Sequence, residues 1–275
     1  MITATFLALG AAVLHAAWNV RVKRSGDRFL AMWGQSAAGG VCCLAVLLVV
    51  GPPPSEAWPY LAASAVIHLG YVLALVRAYD LGDFSLAYPV ARGGGAVGAA
   101  IGGWALLDDD LHGWSWVAIA LVGIGLLTFA PRRASWVPIG GAAVVAVTIA
   151  AYTLVDSAGS REAGGVAYSM CTFVGLALVV SIWGVATGQT GELTAAWSTS
   201  WRSHLWAGVA SATAYALVLE AVRRAPVGYV TVLRESSVLL GPLAGTALLH
   251  EPLGRSRARS ALVVFGGLVL LIAVR

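Results

Sequence analysis

Of 275 residues, 59% are hydrophobic and only 11% are charged. A soluble domain carries about 25% charged residues, so a soluble globular fold is excluded and an integral membrane protein is expected. The formal net charge of +4 suits contact with anionic lipid headgroups. Nucleic-acid binding is not expected, because no basic stretch interleaved with aromatics lies outside the apolar runs.

Ten apolar runs follow one another, near 3–20, 29–50, 57–78, 84–107, 113–130, 137–156, 164–187, 203–222, 228–249 and 258–274. Each is about long enough to cross a hydrocarbon core of roughly 30 Å as a helix. No soluble domain fits between them, and the longest connection is expected from Gly188 to Arg202. The first run has no basic residue ahead of it. Arg21, Lys23 and Arg24 come after it, so it reads as a membrane helix and not as a secretory leader. Loops after the odd-numbered runs hold Arg21, Lys23, Arg24, Arg28, Arg77, Arg132, Arg133, Arg202, Arg255, Arg257 and Arg259. The opposite side holds only Arg161, Arg223, Arg224 and Arg275. The positive-inside rule then places both termini outside.

The sequence repeats weakly at half-length. The stretch "LHAAWNVRVKRSGD" from Leu14 matches "TIAAYTLVDSAGSR" from Thr148 at an offset of 134. Past Arg92 the offset becomes 142, which sets Arg92 on Arg234, Gly103 on Gly245 and Asp109 on Glu251. Polar landmarks align as well as apolar ones, which favours duplication over the chance likeness of two apolar helices. Five helices per half is odd, so the halves must enter the membrane with opposite orientation. The expected fold is an all-α integral membrane protein of ten transmembrane helices in two inverted five-helix repeats, 1–132 and 133–275, with substrate near midplane at the repeat interface.

Three stretches, "HAAWN" (15–19), "AYDLGDFSLAYPVARG" (78–93) and "LLHEPLGRSRARSALVVFGGLVLL" (248–271), resemble the EamA-type branch of the drug/metabolite transporter superfamily. The resemblance covers the whole chain. It implies ten helices, secondary transport and, in many members, metabolite export, with termini in the cytoplasm, against the charge count. The glutamate that commonly follows the fourth helix of such repeats is Asp109 here and Glu251 in the second half.

Two arginines lie inside apolar runs. Arg92 stands eight positions past Phe84, about 12 Å along a helix, and Arg234 about two turns into its own. A charge at that depth costs about 2.5–3.5 kcal/mol or more. Snorkelling to the interface is one way to meet the cost. The other is to face a polar cavity and grip a carboxylate or phosphonate, which the guanidinium fork suits. Pro89 and Pro242 each remove a helical hydrogen bond near an arginine, and interrupted helices in corresponding halves point to a binding site; a plain packing kink is the rival. Gly94, Gly98 and Gly102 form a ridge for close helix approach.

Glu235 adjoins Arg234, but adjacent helix residues diverge, so it is placed either to pair with Arg92 across the repeats or to carry a proton. Asp156 and His15 are the other candidate proton carriers. His15, Trp18 and Asn19 share a face of the first run, and Tyr152, aligned with Trp18, sits four before Asp156. They suggest a cavity wall, with an interfacial aromatic belt as the alternative. His68, Tyr71, Tyr88 and Tyr215 extend the same candidate wall.

Cys42, Cys43 and Cys171 all fall in apolar runs and read as packing residues. Lys23 is the single lysine and no glycine-rich loop precedes it, which removes a Walker phosphate loop. There is no HExxH, CxxC or GxSxG, so neither a metal nor another cofactor is expected, and no catalysis. The expectation is therefore a secondary transporter in the cell membrane, with an exporter favoured, for a small anionic or zwitterionic metabolite. A flippase-like carrier of a lipid-linked phosphate is second and an intramembrane enzyme third. Expected partners are the small-molecule substrate and membrane lipid, and a homodimer is compatible with the sequence.

Overall fold

A computed structural model describes residues 1–81, 84–129, 136–240 and 255–275. The described chain is all-helical. In order come α1 (Ile2–Arg24), α2 (Arg28–Val50), a 3-10 turn (Ser55–Ala57), α3 (Trp58–Leu81), α4 (Phe84–Leu106), α5 (Gly113–Leu127), α6 (Trp136–Ala163), α7 (Gly165–Ala186), α8 (Thr190–Val222), α9 (Val227–Arg234) and α10 (Arg255–Ala273). Six of these are long and apolar enough to cross a membrane, and α5 and α10 are shorter apolar helices. Phe6, Leu48, Val49, Val66, Val147 and Leu262 point outward, so the bundle presents an apolar surface to lipid.

Local chemistry sets the boundaries. Asp27 accepts the Leu30 amide at 2.9 Å and caps α2, which Gly51 ends at φ 82°. Gly164, at φ 84°, is the only residue between α6 and α7, a conformation that costs a residue with a Cβ far more. Pro226 precedes the first residue of α9, where its missing N–H is not needed.

Packing is symmetric on exchange of the halves. Helix α2 packs on α7, α4 on α9 and α5 on α10, each helix on its own counterpart. The contact of α3 with α6 is mirrored by α8 with α1, and that of α4 with α6 by α9 with α1. Small residues permit the closest crossings. A Cβ on Gly95 would lie 2.6 Å from Ile149 Cγ2, and one on Gly208 would lie 2.5 Å from the Gly39 backbone nitrogen.

Two expectations change. The connection expected over 188–202 is mostly helix: α8 begins at Thr190 and bends at Ser200 (φ −132°, ψ 16°). Trp197 stacks on His204 across that bend at 6.3 Å and meets Trp33 of α2 edge-on at 6.3 Å, which sets the polar stretch against the bundle. Pro89 does not break α4, which runs unbroken through it. Pro89 falls in the helix's second turn, so its ring removes a single hydrogen bond near the helix start and the remaining turns hold. Pro242, Glu251 and the expected domain boundary at 132/133 lie outside the described residues, as does the Tyr88 side chain.

Candidate substrate cavity between the halves

The site is built where α4 meets α9. Arg92 donates from Nε to Glu235 Oε2 at 3.1 Å and from Nη2 to Glu235 Oε1 at 2.6 Å. This two-pronged ion pair joins the halves in the interior, with Arg92 7% exposed and Glu235 3%. Helix α9 stops at Arg234. The Glu235 amide bonds back to Val232 at 3.0 Å, and helix resumes over 236–240. Because neighbouring helix positions diverge by about 100°, Glu235 reaches Arg92 while Arg234 faces a cavity. Arg234 is 8% exposed, and no carboxylate among the described residues comes within 4.0 Å of it.

That cavity contains about 720 Å³ of empty space, its open side included. His15 and Trp18 of α1, Gln35 of α2, His68 of α3, Tyr152 of α6 and Tyr215 of α8 line it with Arg92 and Arg234. A second hollow of about 520 Å³ shares His15, Trp18, Tyr71 and Arg92 with it and continues to Asn19 and Arg28. The path therefore opens at the end of the bundle where α1 and α3 finish and α2 begins.

The wall is aromatic. His68 stacks on Tyr152 (4.2 Å, 25° between planes), and Tyr71 meets the same tyrosine edge-on at 5.4 Å. Tyr215 stands 5.9 Å from His68 and 6.4 Å from Tyr152, again edge-on. Such edge and offset contacts hold rings rigidly. Two polar atoms of the wall have no hydrogen-bond partner among the described residues: Trp18 Nε1, a donor, and Gln35 Oε1, an acceptor. Behind the wall lies Asp156, which is 0% exposed. Its Oδ1 accepts from the Tyr168 hydroxyl at 2.9 Å, and its Oδ2 accepts from the Tyr215 hydroxyl.

The opposite end is closed. Asp109 Oδ1 accepts from Arg161 Nη2 at 2.7 Å, and Oδ2 accepts from the Val227 amide at 2.6 Å. Arg161 Nε also donates to the Val222 carbonyl at 3.1 Å. One carboxylate thus ties the end of α6 and the start of α9 to the segment after α4, and Arg161 adds the end of α8.

The structure brings Arg92, Arg234, His15, Trp18, Tyr152, Tyr215 and His68 onto one cavity wall and places Asn19 at its mouth. Glu235 and Asp156 sit behind the lining. Sequence reasoning missed Gln35, Phe173 and Tyr168. Gln35 had a usable signal, as an amide in the middle of an apolar run. Among the described residues, no group of three His, Cys, Asp or Glu is placed to hold a metal ion.

Residues 137–273 match the model of the EamA-like transporter family. A protein of known crystal structure, 16% identical, superposes with a TM-score of 0.78 over 99% of this chain and 98% of its own. No curated protein matches by sequence. The chain belongs to the EamA-like transporter family of the drug/metabolite transporter superfamily and is a multi-pass membrane protein.

Proposed function

We propose that this transporter carries a small anionic or zwitterionic metabolite across the cell membrane by alternating access, as an exporter driven by an ion gradient, and releases it chemically unchanged. Arg234 reads the anionic group. The observation that carries this reading is the contrast between two buried guanidiniums: Arg92 is neutralised by Glu235, while Arg234 lines the cavity with no acid within 4.0 Å among the described residues. A bound carboxylate or phosphonate satisfies that charge, and guanidinium geometry favours a two-pronged grip. The aromatic wall and the unpartnered atoms of Trp18 and Gln35 hold the remainder of the substrate. Pairing with Arg92 makes Glu235 a positioning residue that sets the geometry of α9 beside Arg234.

The test is counterflow in proteoliposomes with labelled amino acids and phosphonates at several pH values. Saturable exchange of at least one anionic or zwitterionic compound, lost in Arg234→Gln, supports the reading. Exchange only of uncharged or cationic compounds, or uptake only of lipid-linked phosphates, contradicts it.

A further inference from the structure

Asp156 and Glu235 are both carboxylates buried within the bundle, yet their surroundings differ in kind. Glu235 has a fixed cation on both oxygens. Asp156 has none: no arginine or lysine among the described residues comes within 4.0 Å, and the nearest basic group is His68, whose Nδ1 is 4.0 Å from Oδ2. An isolated ionised carboxylate in such a place is far costlier than a neutral one. A proton shared between Asp156 and His68 removes the cost, either as a neutral acid beside a neutral imidazole or as a carboxylate beside an imidazolium.

Ser64 meets His68 at one ring nitrogen with both its carbonyl and its hydroxyl. His68 Nδ1 lies 3.0 Å from the Ser64 carbonyl oxygen. The Ser64 hydroxyl lies 3.1 Å from the same nitrogen, so the ring either donates Nδ1–H to the carbonyl or accepts from the hydroxyl, and a protonated ring donates to the carbonyl. The remaining groups around Asp156 are neutral donors. Tyr168 of α7 and Tyr215 of α8 hold its two oxygens, and Tyr152 of α6 stacks on His68. On the other packed elements, Arg92 is engaged by Glu235, Arg234 faces the cavity, and Glu56 of the 3-10 turn is exposed and accepts from Ser55. Both Tyr215 and His68 line the substrate cavity.

We propose that the Asp156–His68 pair is the proton-binding site of this protein, reached from the cavity through Tyr215 and His68, and that Glu235 is not. One proton is taken from water in the cavity and carried by the pair, on the Asp156 carboxyl or on the His68 ring, and the same proton returns to water when the site opens to the other side. Its use as a coupling ion rests on the transporter reading above, but proton binding itself can be measured without any substrate.

The experiment is a pH titration of the purified protein in lipid, followed by the protonated-carboxyl band in infrared difference spectra. The wild type shows a titrating buried carboxyl. Asp156→Asn loses that band, Glu235→Gln keeps it, and His68→Gln and Tyr215→Phe shift its midpoint. The two milder variants keep the test open should Asp156→Asn fail to fold. Retention of the full band in Asp156→Asn, its loss in Glu235→Gln, or unchanged midpoints in His68→Gln and Tyr215→Phe overturns the proposal. Because no substrate is added, those results leave the anion-transport reading untouched, and failure of the counterflow assay leaves the proton site untouched.

Discussion

Arg92 of the first half and Glu235 of the second form a two-pronged ion pair in the interior, with one contact at 2.6 Å and the other at 3.1 Å. The pair explains how α4 keeps a charge in the interior: Glu235, the residue that ends α9, supplies its counter-ion. It also separates the two arginines, leaving Arg234 as the one whose charge has no carboxylate within 4.0 Å among the described residues.

Breaking one partner of such a pair strands the other. Glu235→Gln and Arg92→Gln should each destabilise the protein by about 3–5 kcal/mol, as loss of one member of a buried pair does. The double variant should cost clearly less than the sum of the two. Thermal unfolding of the purified single and double variants, analysed as a mutant cycle, checks this.

The clasp at the closed end makes a second prediction. Asp109 accepts from Arg161 and from the Val227 amide at once. Asp109→Ala removes two charge-assisted hydrogen bonds, worth about 1.5–3 kcal/mol each. Hydrogen exchange at the first turn of α9 should rise by at least tenfold, while amides in the middle of α2 and α7 stay protected.

Close helix approach can be tested against an internal control. A Cβ on Gly208 meets only backbone within 2.7 Å, the Gly39 nitrogen and the Gln35 carbonyl oxygen, and backbone cannot swing aside. Gly208→Ala should therefore cost about 1–3 kcal/mol, the usual penalty for overpacking. Gly70, in the middle of α3, has nothing within 4 Å. Gly70→Ala should be neutral or stabilise by up to about 1 kcal/mol, since alanine is the better helix former. Paired melting curves separate the two effects.

Much of the cavity was legible in the sequence because membrane burial makes polar residues conspicuous. Arg92, Arg234, His68 and Asp156 each stand out in an apolar run for the cost they carry there, and the structure sets three of them on the wall and the fourth just behind it. Gln35 escaped because a neutral amide raises no charge alarm, though it too is buried. The start of α8 escaped for the opposite reason. Its polar, tryptophan-rich sequence reads as a loop, and its contact with the bundle, Trp197 against Trp33 of α2, is tertiary and has no local pattern. Pro89 misled because proline marks a lost hydrogen bond, while whether a helix bends depends on the turns around it.

The central claim is that Arg234, and not the paired Arg92, reads the substrate's anionic group. The most direct measurement is the affinity of counterflow for the best carboxylate or phosphonate found in the screen, compared between wild type, Arg234→Gln and Arg234→Lys at constant pH. Loss of a desolvated charge partner costs about 2 kcal/mol or more, so Arg234→Gln should weaken apparent affinity by about thirtyfold or more. Arg234→Lys should recover only part of it, because the planar fork is lost. An Arg234→Gln protein that folds and exchanges the same anion with wild-type affinity would contradict the account.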